Sequence, residues 1–429
     1  MRLPGRLAAA IEVLSDVETR HRPVSEALKA WGINNRFAGA GDRAAIGNLV
    51  YDALRRRASH AAAMGTDSPR ALVLAVAMRD WGETPDSLAA AFEGDSHAPE
   101  ALTTDEIAGA TADISSAPAA ARADVPEWLV HSLERAFGDD WIAEGAAMTG
   151  RPSLDLRTNA LKASPEKVMK SLARFSPQPT TIAPFGITMP AGPRDARTPN
   201  VVTDEGYQKG WFEVQDQGSQ IVAMLAGARE GEQVLDLCAG AGGKTLALAA
   251  TMGNKGQIFA YDTDRSRLAP IYDRLKRNTV RNAQVRSPQD GALDDLVGKM
   301  DRVVVDAPCT GTGTWRRRPD TKWKLTPELL AVRQSEQAAL LVEAARYLKP
   351  GGTLVYITCS ILPEENDDQI AAFLVANPGV ATIDMATAWR QTLITDLPEG
   401  LATPGGGICL TPHRTRTDGF YCHLLRKKG

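Results

Sequence analysis

Val303-Val304-Val305-Asp306-Ala307-Pro308-Cys309 and Leu354-Val355-Tyr356-Ile357-Thr358-Cys359-Ser360 decide the fold of this chain. Each is a short apolar, β-branched run that ends in a cysteine, and a long helical stretch separates them. Two such runs joined by a helix predict neighbouring strands of a parallel sheet linked by a crossover. Both thiols then emerge at the carboxyl edge of the sheet, where open α/β folds bind their ligands.

Working outward, strands and helices alternate from about residue 230 onward. The predicted strands are Gln233–Leu237, Gln257–Asp262, Gln284–Arg286, Arg302–Asp306 and Thr353–Thr358, followed by an antiparallel hairpin of Gly407–Thr411 and Phe420–Leu425. Five parallel strands with crossover helices and a terminal hairpin make a doubly wound α/β domain, expected over residues 216–429. Before it, residues 125–215 mix strand and helix signals and read as a small α+β module. Residues 1–90 read as helical, with Leu7, Ile11, Leu14, Ile46, Val50 and Leu54 at helical spacing. The stretch 81–124 has nine acidic residues against one cation, whereas residues 1–80 have twelve cations against eight acids. That shift predicts an acidic linker over 91–124, or a loosely packed helical tail.

With 429 residues, the chain is too long for one core. A formal charge of −3 gives no global sign of nucleic-acid binding, so any basic surface is local. Five cysteines are too few for a disulfide framework, and an odd count points to reduced thiols and a cytoplasmic setting. The start is a poor signal peptide, and no stretch approaches the roughly 18 apolar residues of a membrane span. No metal-ligand spacing stands out, and a monomer is expected.

The first strand runs into Val234-Leu235-Asp236-Leu237-Cys238-Ala239-Gly240-Ala241-Gly242-Gly243-Lys244-Thr245, which opens a helix. Its glycines allow a sharp turn and close approach of a ligand. Gly243-Lys244-Thr245 imitates a P-loop, but Cys238 stands where that motif requires glycine, so the P-loop reading fails. Asp262 ends the second strand, where a carboxylate can accept hydrogen bonds from ribose hydroxyls. Asp290 follows the third strand and can hold an adenine amine or cap a helix. This set suits an adenosine-bearing cofactor, either a dinucleotide or S-adenosylmethionine.

Asp306, Cys309 and Cys359 are the groups that methylation of a cytosine at carbon 5 would require. Carbon 5 is a poor nucleophile until a thiolate adds to carbon 6. A carboxyl group then supports charge near ring nitrogen 3, and a base removes the carbon 5 proton. A free thiol, with a pKa of about 8.5, is only a few per cent thiolate at neutral pH, so a nearby cation should help. The stretch after Cys309 offers several.

Taken together, the glycine loop, Asp306-Ala307-Pro308-Cys309, and Thr358-Cys359-Ser360 followed by Pro363-Glu364-Glu365-Asn366 resemble the Sun/Fmu-type RNA cytosine-5 methyltransferases. Among bacterial groups they are similar to the 16S ribosomal RNA methyltransferase B group. Residues 1–80, including Phe37-Ala38-Gly39-Ala40-Gly41-Asp42-Arg43, resemble its NusB-like helical RNA-binding domain more weakly. The resemblance implies a class I methyltransferase domain using S-adenosylmethionine. It also implies that Cys359 attacks carbon 6, that Cys309 assists proton removal and release, and that Asp306 binds near the cytosine and the cofactor. Chemistry alone leaves the choice between the two cysteines open. By the same resemblance Cys238, Ala239, Gly240, Ala241, Gly242, Gly243 and Lys244, with Asp262, Asp290 and Asp306, hold the cofactor, and Lys244 reaches the catalytic centre. Ala241 replaces a frequent family proline, and Gln289 precedes Asp290 where glycine is usual.

Gly313-Thr314-Trp315-Arg316-Arg317-Arg318-Pro319-Asp320-Thr321-Lys322-Trp323-Lys324 has five cations, one acid and two tryptophans. It is expected either to contact RNA, with rings stacked on bases, or to be a solvated loop with core tryptophans. Arg55-Arg56-Arg57 is a second expected phosphate contact, against the alternative of a solvated helix face. Ribosomal RNA is the favoured substrate and transfer RNA the runner-up. A nicotinamide oxidoreductase would share the glycine loop and Asp262 but leaves the paired thiols unexplained. A silent RNA-binding factor has no need of both thiols.

Overall fold

The computed structural model describes residues 1–429 except Ile394. The chain forms two compact units. One comprises residues 1–152, 191–198 and 315–324; the other comprises 153–190, 199–314 and 325–429.

The first unit is helical. In the helix Leu3–Arg20, Leu7, Ala10, Leu14 and Val17 recur every three or four residues and face the core, where Ile46, Leu49, Leu72 and Leu74 meet them. The acidic stretch 91–124, expected to be a linker or a loosely packed helical tail, is folded into this unit. It contains the end of the helix Pro85–Phe92 and the helices Thr104–Gly109 and Ala119–Ala123. Leu88 and Phe92 are buried in the core. Its acids serve as caps and ion-pair partners, which composition alone does not reveal. Thr103 and Glu106 form a capping box, and Arg70 Nε donates to Glu106 Oε1 at 2.7 Å. Asp124 accepts from Ser59 N at 2.9 Å and Ser59 Oγ at 2.6 Å. Residues 125–152, expected to open the small module, also lie in this unit.

Segment 315–324 packs in the helical unit, and the stacking expectation fails there. Trp315 and Lys322 are each 1% exposed. The helix Ala40–Arg55 leaves its last carbonyls without intrahelical partners. Lys322 Nζ donates to Arg55 O at 2.9 Å, and Trp323 Nε1 donates to Leu54 O at 2.7 Å. In return Arg55 Nε donates to Arg316 O at 2.7 Å. A cation at a helix C-terminus also complements the helix dipole. Of the five cations, only Arg318 and Lys324 are exposed. The Arg55-Arg56-Arg57 run is likewise committed within the unit: Arg55 pairs with Asp52, Arg56 with Asp80, and Arg57 with Glu18 and Asp67.

The second unit holds two sheets. Strands β1 (Leu154–Thr158), β2 (Gln178–Pro179), β3 (Gly186–Met189) and β4 (Phe212–Val214) form a small antiparallel sheet in the order β2-β3-β1-β4. The large sheet contains β5 (Gln233–Asp236), β6 (Gln257–Tyr261), β7 (Ala283–Arg286), β8 (Met300–Asp306) and β9 (Leu348–Thr358). It continues with β10 (Val380–Thr382), β11 (Ile408–Leu410) and β12 (Phe420–Lys427). The order is β10-β12-β9-β8-β5-β6-β7, with β11 on β12. Strands β5 to β9 are mutually parallel, and β10, β11 and β12 pair antiparallel. This is the expected doubly wound α/β sheet with its terminal hairpin. Strand β10 was not foreseen, and the hairpin connection carries the short helix Pro412–Thr415. Val303, Val304 and Val305 and Leu354 to Ile357 are fully buried, as strands covered on both faces require.

Replacing Trp315 with alanine should therefore cost about 3–5 kcal/mol of stability in a denaturant titration. A loss below about 1 kcal/mol would mean that the ring is not a core anchor.

Candidate active site

The order β6-β5-β8-β9 places the topological switch between β5 and β8, so a crevice opens at their carboxyl ends. The glycine loop turns over β5 into the helix Gly243–Thr251. Gly242 has a φ of 84°, and a Cβ there would stand 2.5 Å from Ile271 Cγ1, so only glycine fits. Gly240 N donates to Asp262 Oδ2 at 2.9 Å, and Asp264 N donates to Asp262 Oδ1 at 2.9 Å. Asp262 thus fixes the loop while standing at the end of β6. Ala241 O accepts from Arg274 Nη1 at 2.8 Å. Arg274 in turn pairs with buried Glu213 of β4, which also holds Arg277 and Asn278. Asp290 is exposed in the turn after β7. Among the described residues, no hydrogen bond joins it to the other site residues.

At the end of β5, Asp236 is fully buried. Its Oδ2 accepts from Thr245 Oγ1 at 2.6 Å, and its Oδ1 has no hydrogen-bond partner. Burial lifts its carboxyl to about 7, with help from the nearby Asp306 charge. Burial also pushes the Cys238 thiol up, aided by Asp236, Asp262 and Asp306. Lys244 is buried and donates to Ser219 Oγ at 2.8 Å and to Asp306 Oδ2 at 3.1 Å.

Cys309 Sγ and Cys359 Sγ lie 3.3 Å apart. The parallel register of Asp306 against Ile357 brings their loops level. The Cys309 thiol is held well above its usual range, first by its contact with Cys359, then by burial and by Glu365. Of the cations after Cys309, expected to ease ionisation of a thiol, Lys322 and Lys324 donate instead to backbone carbonyls of the helical unit.

Sequence reasoning gave no role to the residues that hold these two loops. Glu365 accepts from Thr310 N at 2.8 Å, from Thr310 Oγ1 at 2.5 Å and from Gln337 Nε2 at 3.0 Å. Thr312 Oγ1 meets Ser360 Oγ at 3.0 Å and accepts from Ile361 N at 2.9 Å. Thr358 Oγ1 donates to Asn366 Oδ1 at 2.6 Å, and Gly313 N donates to Cys359 O at 2.9 Å. The motif Pro363-Glu364-Glu365-Asn366 was the only sequence signal for this clasp. Among the described residues, no cluster of three or more His, Cys, Asp or Glu side chains could hold a metal ion.

The raised Asp236 carboxyl has a stability consequence. Its folded pKa exceeds its unfolded one, so its contribution is fully present below about pH 4 and is lost as pH rises toward 7. Asp236→Asn keeps an acceptor for Thr245 and cannot ionise. Its stability relative to the unmodified protein should improve by about 2–4 kcal/mol between pH 4 and pH 8 in urea titrations. A flat difference across that range would show that Asp236 does not titrate in it.

Residues 223–426 match the family model described as 16S rRNA methyltransferase RsmB/F, and residues 125–192 match a ferredoxin-like domain of RsmF/B-like methyltransferases. A probable ribosomal RNA small subunit methyltransferase B from Synechocystis sp. is 34% identical over 310 residues, 70% of this chain and 66% of that protein. A ribosomal RNA small subunit methyltransferase B from Klebsiella pneumoniae is 38% identical over 276 residues, 62% of each chain. The chain therefore spans somewhat under two thirds of the length of these curated relatives. The solved structure of a methyltransferase homologue from Pyrococcus horikoshii superimposes with a TM-score of 0.58 at 26% identity, covering 72% of this chain and 97% of that one. The chain belongs to the 16S rRNA methyltransferase RsmB/F family.

Proposed function

We propose that the protein transfers a methyl group from S-adenosylmethionine to carbon 5 of a cytosine in RNA, with 16S ribosomal RNA as the substrate. The observation that carries this reading is the thiol pair, 3.3 Å apart at adjacent strand ends, on a sheet edge that also bears Asp306 and Lys244. The relatives' names support ribosomal RNA as the substrate.

When bound, S-adenosylmethionine supplies an electrophilic methyl group on a sulfonium. Cys238 to Lys244, Asp262, Asp290 and Asp306 would hold it. The strained, side-chain-free turn at Gly242 and the amide of Gly240 pinned by Asp262 suit close approach of an adenosine-bearing group.

The Cys359 thiolate adds to carbon 6 of the cytosine, and the electron pair of the 5,6 double bond moves to carbon 5. Lys244, hydrogen-bonded to Asp306 Oδ2 at 3.1 Å, orients that carboxyl group beside ring nitrogen 3, and the Lys244 cation offsets the negative charge that develops there. Carbon 5, now nucleophilic, takes the methyl group. A base then removes the carbon 5 proton, and the re-forming double bond expels the Cys359 thiolate. Cys309 fits this last step. As its sulfur takes the carbon 5 proton, its own S–H proton passes to the departing Cys359 sulfur 3.3 Å away, so Cys309 ends as a thiol again. Cys309 can also keep its proton and donate S–H to Cys359 in the resting site.

A denaturing gel after incubation with RNA and S-adenosylmethionine tests the assignment. Cys309→Ala should accumulate a covalent protein–RNA band, whereas Cys359→Ala should give none and lose methyl transfer by about a thousandfold or more. The reverse pattern would exchange the two roles. No methyl transfer from labelled donor to any RNA by the unmodified protein would overturn the reading itself.

A further inference from the structure

The Lys244 ammonium is fixed by two acceptors, Ser219 Oγ at 2.8 Å and Asp306 Oδ2 at 3.1 Å. An ammonium carries three N–H bonds at tetrahedral angles, so two occupied directions determine the third. Among the described residues no hydrogen-bond acceptor takes that third N–H, and besides its two acceptors the ammonium has the Phe420 ring centre 5.2 Å away.

Ser219 is not an isolated acceptor. Gln215 Nε2 also donates to Ser219 Oγ, at 3.0 Å, so both lone pairs of the hydroxyl are used. Gln215 Oε1 accepts from Arg157 Nη1 at 2.6 Å, and this bond decides which way round the Gln215 amide sits. Arg157 lies on β1, is buried, and gives a further bond to Gly243 O at 3.0 Å. Gln215 N donates to Asp155 O, on the same strand, at 3.0 Å. Every link of the row Arg157, Gln215, Ser219, Lys244, Asp306 pairs a donor with an acceptor, without conflict. The row joins the small sheet to the carboxylate of the catalytic edge, through side chains that are buried or half-buried.

We propose that Ser219, oriented through Gln215 by Arg157 of the small sheet, is a positioning residue that aims the free N–H of Lys244 at an acceptor on the reacting base. The proposal rests on the reading of this edge as the methyl-transfer site. With the hydroxyl gone, the ammonium keeps one anchor and rotates about it, so the third N–H loses its direction. In a buried site that geometry sets transition-state stabilisation more than ground-state binding.

The test uses the full chain. Ser219→Ala should lower kcat for RNA methylation by about 10- to 100-fold, the range expected for one lost hydrogen bond to a charged group. The KM for RNA and the Kd for S-adenosylmethionine should stay within about twofold. Ser219→Thr, which keeps a hydroxyl, should restore most of kcat, and Gln215→Met should give an intermediate loss. A melting temperature within a few degrees of the unmodified protein separates positioning from unfolding. Unchanged kcat in Ser219→Ala, or no rescue by threonine, would overturn the proposal. A second readout needs no turnover: acylation of Lys244 by an amine-reactive ester, followed by mass spectrometry. Ser219→Ala should raise labelling of Lys244 severalfold, and equal labelling would overturn the tether. If the unmodified protein methylates no RNA, the functional reading fails, and the labelling result still decides whether Ser219 holds Lys244.

Discussion

The parallel register of β8 against β9 is the constraint on which the rest of the site depends. It sets Asp306 opposite Ile357 and brings Cys309 and Cys359 to the same edge, with their sulfurs 3.3 Å apart. Side chains on adjacent strands alternate faces together, so a slip of one residue would exchange Val304, packed in one core, with Val303 and Val305, packed in the other. Register and hydrophobic burial are therefore fixed by the same interactions. Glu365 then tethers the Cys309 loop, while Thr312, Ser360 and Asn366 tether the Cys359 loop. Thiols carried on two such loops do not need to search for one another.

Around that edge the protein buries charge, and it does so in hydrogen-bonded sets. Glu213 holds Arg274, Arg277 and Asn278, and Arg274 reaches the carbonyl of Ala241 in the glycine loop. Three polar side chains sharing one buried carboxylate hold its pKa below the ordinary value in spite of burial. Asp236 is the contrast. It has one hydroxyl partner and a second oxygen with none, and it sits at about 7. The small sheet contributes to both arrangements through Glu213 of β4 and Arg157 of β1. It is thus built into the catalytic unit and shapes the loop that would hold the cofactor.

The helical unit uses its cations inwardly. Lys322 donates to the Arg55 carbonyl and Arg55 donates to the Arg316 carbonyl, joining segment 315–324 to the end of the helix Ala40–Arg55, and each of the arginines 55 to 57 has an acid partner. Basic runs in a sequence do not distinguish a phosphate contact from a helix C-terminal cap, because both use the same side chains. What separates them is the neighbouring backbone, which the sequence does not display.

By itself the sequence determined the sheet and the content of its working edge. Apolar runs of strand length, ending in Asp306 and Cys309 and in Cys359, can be buried on both faces only in a parallel sheet, and the glycines after β5 admit only a tight turn. The motifs also identified the family, because that turn and the strand-end thiols are local patterns of residues. Tertiary structure alone decided everything that depends on distant partners. It folded the acidic stretch 91–124 into the helical unit, because caps and ion pairs such as Arg70 with Glu106 offset its charge. It drew Trp315 and Lys322 into a core and left Asp290 exposed. It also joined Arg157, Gln215, Ser219, Lys244 and Asp306, spread over 150 positions of chain, into one hydrogen-bonded row. Each of those outcomes turns on which groups meet in space, and no local pattern of residue types records that.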